Sequence, residues 1–241
     1  MTDPGADEGS VARPRRGSLL RETLVVVVGA LLVAIVVRTF FFQAFYIPSA
    51  SMENTLLVGD RVLVSKLSTR IGEIDRGEVV VFRDPADWVT VLSGSDSGFG
   101  ATLRGALTFI GLLPSDSGDD LVKRVIGVGG DRVVCCDESG RITVNGQPLA
   151  EDYLYPGDVP SDTPFDVTVP PGSLWVMGDH RSVSQDSRFH ESVAAGGGMV
   201  PEDAVVGRAF VRIWPLDRFA GLGVPKTFES VPDPAPAALA P

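Results

Sequence analysis

LVKRVIGV, residues 121–128, is an apolar, β-branched run interrupted only by Lys123 and Arg124 and closed by Gly129, Gly130 and Asp131. Valine and isoleucine at this density, followed by turn residues, read as a strand. Five further segments have the same character: RVLVSK from Arg61, EVVVFR from Glu78, DRVVCC from Asp131, SLWVMGD from Ser173 and VVGRAFVRIW from Val205. Between ITV and QPL, Asn145-Gly146 is a two-residue hairpin signal, because both central positions of that turn need positive φ. The pattern predicts a mostly β body. Strand alternation puts Lys123 and Arg124 on opposite faces, one cation inward and the other out.

Around this body the composition changes. Residues 24–37 are fourteen consecutive apolar or small residues, and nineteen if extended to Phe42. A helix of that length approaches the roughly 30 Å hydrocarbon core if Arg38 snorkels. Arg13, Arg15, Arg16 and Arg21 precede it, which keeps the N-terminus cytoplasmic and sends the rest outward. A cleaved secretory signal has a similar start, but RTFFFQAFY follows the run where a cleavage site needs small residues. The apolar patch 103–113 is too short to span. It lies in a Gly/Ser/Asp-rich stretch, 86–120, that reads as an insertion between two strands. The last twenty or so residues read as a loose tail.

The chain has 241 residues, 31 acidic against 21 basic, for a net charge of −10. Residues 1–38 carry +1 and the remainder −11. A basic nucleic-acid surface is excluded, so no nucleic-acid partner is expected. Two histidines and two adjacent cysteines are too few and too badly spaced for a zinc cage, so no metal or other cofactor is expected. Cys135 and Cys136 cannot form an ordinary unstrained bridge across a trans peptide; a vicinal disulfide and free or intermolecular thiols both stay open.

Lysine is the informative residue, with only three (Lys66, Lys123, Lys226) beside 18 arginines. Arginine stays protonated, whereas a buried lysine can lose its proton and act as a base. Lys226 reads as a solvated charge and Lys123 sits in an apolar strand. A lysine base needs a nucleophile, and IPSASMENTL, residues 47–56, offers Ser49 and Ser51 in a Pro-led turn. A third cluster, MGDHRSVSQDSR, residues 177–188, packs charges, serines and His180 after a strand.

These segments, with VGDRVLVSK, RGEVVVFRDP and the closing VVGRAFVRIWP, closely resemble the sequence boxes of bacterial type I signal peptidases, over 24–216 apart from the insertion. The arginine-rich composition resembles an actinobacterial member. The resemblance implies a signal-peptidase-like β-barrel or β-sheet catalytic domain behind one N-terminal transmembrane helix. It divides the chain into a cytoplasmic tail (1–18), an anchor (19–45), an extracytoplasmic Ser/Lys protease domain (46–219) and a Pro/Ala-rich tail (220–241). The expected location is the plasma membrane, single-pass, and the expected partners are the lipid bilayer and signal peptides of exported preproteins.

Carried over position by position, the resemblance makes Ser51 the nucleophile and Lys123 the general base. Ser49 joins the Ser51 N–H in the oxyanion hole and Ser184 hydrogen-bonds and orients the lysine amine. Asp186 and Arg188 form a supporting ion pair, Asp179 is the aspartate of the GD pair, and Arg124 is a structural cation. Phe45, Ile47, Met52 and Val122 line pockets for small side chains. Two positions depart from the family's pattern, Asn54 for its usual proline and His180 for its usual asparagine. His180 raises a rival, a Ser-His-Asp hydrolase built from Ser51, His180 and Asp179 or Asp186, which geometry must decide. The other rivals are a self-cleaving Ser/Lys repressor, against which the anchor argues, and a membrane-anchored binding protein.

Overall fold

The computed structural model describes residues 16–67, 72–85, 88, 120–192 and 196–234. The chain begins with helix α1 (Arg16–Phe40) and continues into strands β1 (Phe42–Tyr46), β2 (Arg61–Ser65), β3 (Val79–Arg83), β4 (Asp120–Gly127), β5 (Arg132–Cys135), β6 (Thr143–Val144) and β7 (Gln147–Pro148). After these come β8 (Phe165–Thr168), β9 (Ser173–Met177), the short helix α2 (Ser187–His190), β10 (Val200–Pro201), β11 (Val205–Trp214) and β12 (Ala220–Gly221). The larger sheet runs β1-β2-β11-β3-β4-β9-β10, with β12 added on β11, and the smaller runs β7-β6-β5-β8. Every pairing is antiparallel. The mostly β body expected from the sequence is the observed one.

The continuous apolar reading of β3 follows from burial on both faces. Val79 and Val81 join one core cluster with Phe45, Met52 and Val62, whereas Val80 and Phe82 join another with Val125, Leu174 and Val176. A third cluster lies against the smaller sheet, around Ile126, Val144, Phe165 and Trp175. This double covering corrects the expectation for β4. Lys123 and Arg124 do alternate, but neither reaches solvent: they are 4% and 2% exposed. The β6–β7 hairpin turns at Asn145 (φ 52°) and Gly146 (φ 80°), as that dipeptide predicts.

Two further expectations change. The helix ends at Phe40, and residues 42–45 of the expected anchor, with Tyr46, form a strand in register with β2, from Phe42 opposite Ser65 to Tyr46 opposite Arg61. The aromatic run thus begins the body. Among the described residues no helix is long and apolar enough to cross a membrane, the described side chains of α1 being those of residues 21–37 and 40. The tail is not loose over 220–234. Phe228 and Val231 are buried in the cluster against the smaller sheet, Ala150 N–H donates to Thr227 Oγ1 at 2.7 Å, and Asn145 Nδ2 donates to the Pro232 carbonyl at 2.9 Å.

Cys135 and Cys136 are bridged to each other across a cis peptide, with Cα atoms 2.9 Å apart. The insertion leaves and re-enters at paired strand ends, Arg83 opposite Asp120, which fits a segment inserted between neighbouring strands. Of its residues only Trp88 and Asp120 are described; the apolar patch at 103–113 lies outside the described residues, as do residues 1–15 of the expected cytoplasmic tail.

Candidate active site

The turn that carries Ser51, the expected nucleophile, leaves β1 and rises as a 3-10 helix, Ala50–Met52. Its base is closed by two backbone bonds, Ile47 N–H to the Asp60 carbonyl and Gly59 N–H to the Ile47 carbonyl, both 2.9 Å. Beneath it Phe45, Ile47, Met52 and Leu56 are fully packed. Of the residues expected to line pockets, Phe45, Ile47 and Met52 lie in this core cluster and expose almost no surface. Val122 alone of the four stays partly buried, against the same cluster.

Ser51 sits on top of this packing, 8% exposed. Lys123 reaches it from the middle of β4, its Nζ donating to Ser51 Oγ at 2.6 Å, a contact between residues 72 positions apart. The Ser49 side chain makes no cap to the 3-10 helix; its hydroxyl lies 3.4 Å from Ser51 Oγ. Burial pushes the Lys123 amine down from 10.5 to about 8, while the carboxylates of Asp186 and Asp179 oppose the shift and Arg188 adds to it. The unfolded chain therefore binds the proton more tightly, so this group's contribution to stability rises with pH from about 8 to an ordinary lysine's roughly 10.4.

Two buried ion pairs flank Ser51 and Lys123. Arg124 grips Asp179 through Nε at 2.8 Å and Nη2 at 2.6 Å, and Asp179 accepts the Thr55 hydroxyl at 2.5 Å, which ties the nucleophile turn to the loop after β9. Removing one partner of such a pair strands a buried charge at a cost of roughly 3–5 kcal/mol. Arg188 holds both oxygens of Asp186, at 2.9 and 2.8 Å, and donates to the Arg181 carbonyl at 2.9 Å. Burial alone would raise the Asp186 carboxyl, but the Arg188 bonds and charge, the Gly178 N–H and Lys123 hold it below the ordinary value. Asp186 also caps α2 by accepting the Arg188 N–H.

Ser184 departs from expectation. Its Oγ is buried with no hydrogen-bond partner among the described residues, so the bond meant to orient the lysine amine is not formed. It packs instead beside Gly178, where a Cβ would strike the Ser184 side chain and the Ser51 carbonyl. That crowding is why the loop needs glycine there, a role the sequence reading missed although Gly178 belongs to the quoted GD pair.

His180 is held away from Ser51 Oγ. Its ring stacks on Tyr155 at 3.8 Å, and Nδ1 lies 3.3 Å from Glu53 Oε2 without hydrogen-bond geometry. Its link to the nucleophile is through backbone, His180 N–H to the Ser51 carbonyl at 3.1 Å. The second histidine, His190, the last residue of α2, stacks on Trp88, with ring centroids 4.3 Å apart. Among the described residues no group of three or more His, Cys, Asp or Glu side chains is placed to hold a metal ion. Thr55 and the Glu151–Arg181 ion pair carry no sequence signal, and Asn54 shows in the sequence only as a departure; each acts through contacts across the chain that leave no local pattern.

Comparison with known proteins meets this geometry. The family described as "Signal peptidase, peptidase S26" matches residues 20–214. The chain is similar to a probable signal peptidase I of Mycobacterium leprae, 40% identical over 240 residues, covering 88% of this chain and 82% of that protein. It is also similar to signal peptidase I of Mycobacterium tuberculosis, 41% identical over 237 residues, with 90% and 80% covered. A solved signal peptidase I from Enterococcus faecalis aligns over 57% of this chain and 97% of its own at 23% identity, with a TM-score of 0.36. On the family match and the mycobacterial relatives, the chain belongs to the bacterial type I signal peptidases of peptidase family S26.

Proposed function

We propose that this signal peptidase works as a membrane-anchored Ser/Lys endopeptidase, cutting preproteins after small residues. The observation that carries the reading is the 2.6 Å contact between Lys123 Nζ and Ser51 Oγ inside a buried site. Neutral Lys123 takes the hydroxyl proton as Ser51 Oγ attacks the carbonyl at the end of the signal peptide. The tetrahedral intermediate collapses to an acyl-enzyme, and the mature protein leaves as an amine protonated by the same lysine. Lys123, neutral again, deprotonates a water that attacks the ester, releasing the signal peptide carboxylate and restoring Ser51. Asp179, Arg124, Asp186 and Arg188 hold the two loops in place and set the charge around the amine. In this reading Phe45, Ile47, Met52 and Val122, packed together beside Ser51, form the apolar wall that admits small side chains.

In this reading Ser49 and the Ser51 N–H stabilise the oxyanion. A cleavage assay on purified full-length protein in detergent, with a preprotein as substrate, tests it. The parent makes one cut, after a small residue. Ser49→Ala lowers the rate on the order of 10²–10³, the loss seen when one oxyanion donor is removed. An unaltered Ser49→Ala rate removes that role.

The same proposal makes α1 the anchor, N-terminus in the cytoplasm and body outside. Its 25 residues span about 37 Å at 1.5 Å per residue, and every described side chain from 24 to 37 is exposed except half-buried Ile35. A stretch that is apolar on every side of the helix and exposed against the described residues fits lipid as its surroundings. Protease added outside spheroplasts is expected to digest the chain beyond about residue 46 and spare the first 18. The reverse pattern overturns the topology.

A further inference from the structure

The two departures from the family's boxes, Asn54 and His180, meet the same piece of backbone. Asn54 has φ of 83°, in the left-handed region that asparagine tolerates and that proline, with φ fixed near −65°, cannot enter. Its Nδ2 donates to the carbonyls of Tyr153 at 3.1 Å and Leu154 at 2.9 Å. The His180 ring lies on Tyr155. Residues 151–158 thus form a strap along the nucleophile turn.

The strap is itself pinned to the body. Glu151 pairs with buried Arg181, the Ser182 N–H donates to Asp158 Oδ2 at 3.1 Å, the Tyr155 N–H donates to the Asp179 carbonyl at 3.0 Å, and the Arg124 guanidinium lies 4.3 Å from the Tyr153 ring centre. A turn tied to it inherits its position.

We propose that Asn54 is a positioning residue for Ser51, its amide holding the turn against the strap so that Ser51 Oγ stays within reach of Lys123 Nζ. The inference rests on the Ser51/Lys123 reading above. The turn is otherwise tied at its two ends: the Ser51 carbonyl accepts from His180 N–H, and Thr55 is fixed through its hydroxyl to Asp179 and its carbonyl to Arg212 Nη1 at 2.7 Å. Between those ends the turn is closed on itself by its own backbone, Glu53 N–H to the Ala50 carbonyl at 3.0 Å and the Thr55 and Leu56 N–H groups to the Met52 carbonyl at 3.1 and 2.7 Å, and Asn54 supplies the two directed bonds that tie it to the strap. A displacement of about 1 Å at a reacting atom can cost on the order of 10² in rate. Asn54 reaches the strap and not the lysine, so its loss changes the rate without changing the pH at which Lys123 titrates.

Two substitutions separate the tether from the backbone conformation. Asn54→Gly keeps positive φ accessible and removes both bonds. Asn54→Asp keeps the shape and sets a carboxylate against two carbonyl oxygens. With full-length protein and a preprotein substrate, both are expected to lower kcat about tenfold or more, with KM within about twofold of the parent and the midpoint of the pH–rate profile unmoved. An Asn54→Gly protein with parental kcat, whatever its Tm, overturns the proposal and leaves the residue a turn former. So does a fall in kcat accompanied by a shifted pH midpoint, which would mean that the lysine has moved. Ser51→Ala run alongside keeps the two readings apart: if it cleaves, the dyad itself fails, whereas an inactive Ser51→Ala beside a fully active Asn54→Gly sinks the positioning role alone.

Discussion

Ser51→Ala is expected to abolish preprotein cleavage, with a loss on the order of 10⁴–10⁶ in kcat, while the protein stays folded and membrane-bound. The magnitude discriminates between roles. Ser51 Oγ accepts the Lys123 amine at 2.6 Å, and a serine that merely oriented the lysine would cost, on removal, no more than the 10²–10³ expected for Ser49→Ala. Only loss of the nucleophile reaches the larger figure. Stability changes little by comparison. The substitution deletes one hydroxyl from a turn held by its backbone and by buried Met52 and Leu56, and a buried hydrogen bond is worth about 1 kcal/mol net. Preprotein cleavage and thermal unfolding measured on the same sample check both halves. Retained processing by purified Ser51→Ala overturns the assignment of the nucleophile.

What the sequence made legible follows from how local each signal is. β2, β3, β4, β5, β9 and β11 carry their own evidence, valine and isoleucine between turn residues, and the Asn145-Gly146 hairpin carries its own in two residues. β1 does not. FQAFY continues an apolar run, and only pairing with β2 makes it a strand. The C-terminal stretch reads as loose because proline and alanine dominate it, yet Phe228 and Val231 suffice to bury it. For Arg124, alternation gives the face and says nothing about whether that face is covered; Asp179 and Tyr153 cover it. The adjacent cysteines were left open because the spacing argument presumed a trans peptide.

The site was legible through its motifs and not through its geometry. Ser51 and Lys123 were named from boxes of sequence and the scarcity of lysine, and the fold brings them within a hydrogen bond. Ser184 was named in the same way and makes no such bond. Asn54 counted as a departure until its backbone conformation and its two carbonyl partners gave it a function. Motifs transmit residue identity along the chain, whereas a tether across 99 or 100 residues exists only once the elements have packed.

Lys123→Arg is expected to be as inactive as Lys123→Ala, because a guanidinium keeps the positive charge but cannot give up its proton near neutral pH. Lys123→Met, similar in length and without charge in a buried position, removes the objection that arginine fails only for want of room. The pH dependence supplies the sign. Burial holds the amine near 8, so the fraction of neutral lysine, and with it kcat/KM of the parent, rises about tenfold per pH unit below about 8 and levels above it. A free lysine would delay that rise to roughly 10.4, and an ordinary histidine base would complete it near 6.5. His180→Ala is expected to keep substantial activity, since its ring is engaged by Tyr155 and Glu53 and touches Ser51 only through backbone. An active Lys123→Arg, or a His180→Ala as inactive as Ser51→Ala, would move the base to histidine. Parental activity in Lys123→Met would remove the base from position 123 altogether. The midpoint near 8 and loss of activity in all three lysine variants are together the signature of a buried amine that must lose its proton before Ser51 can attack.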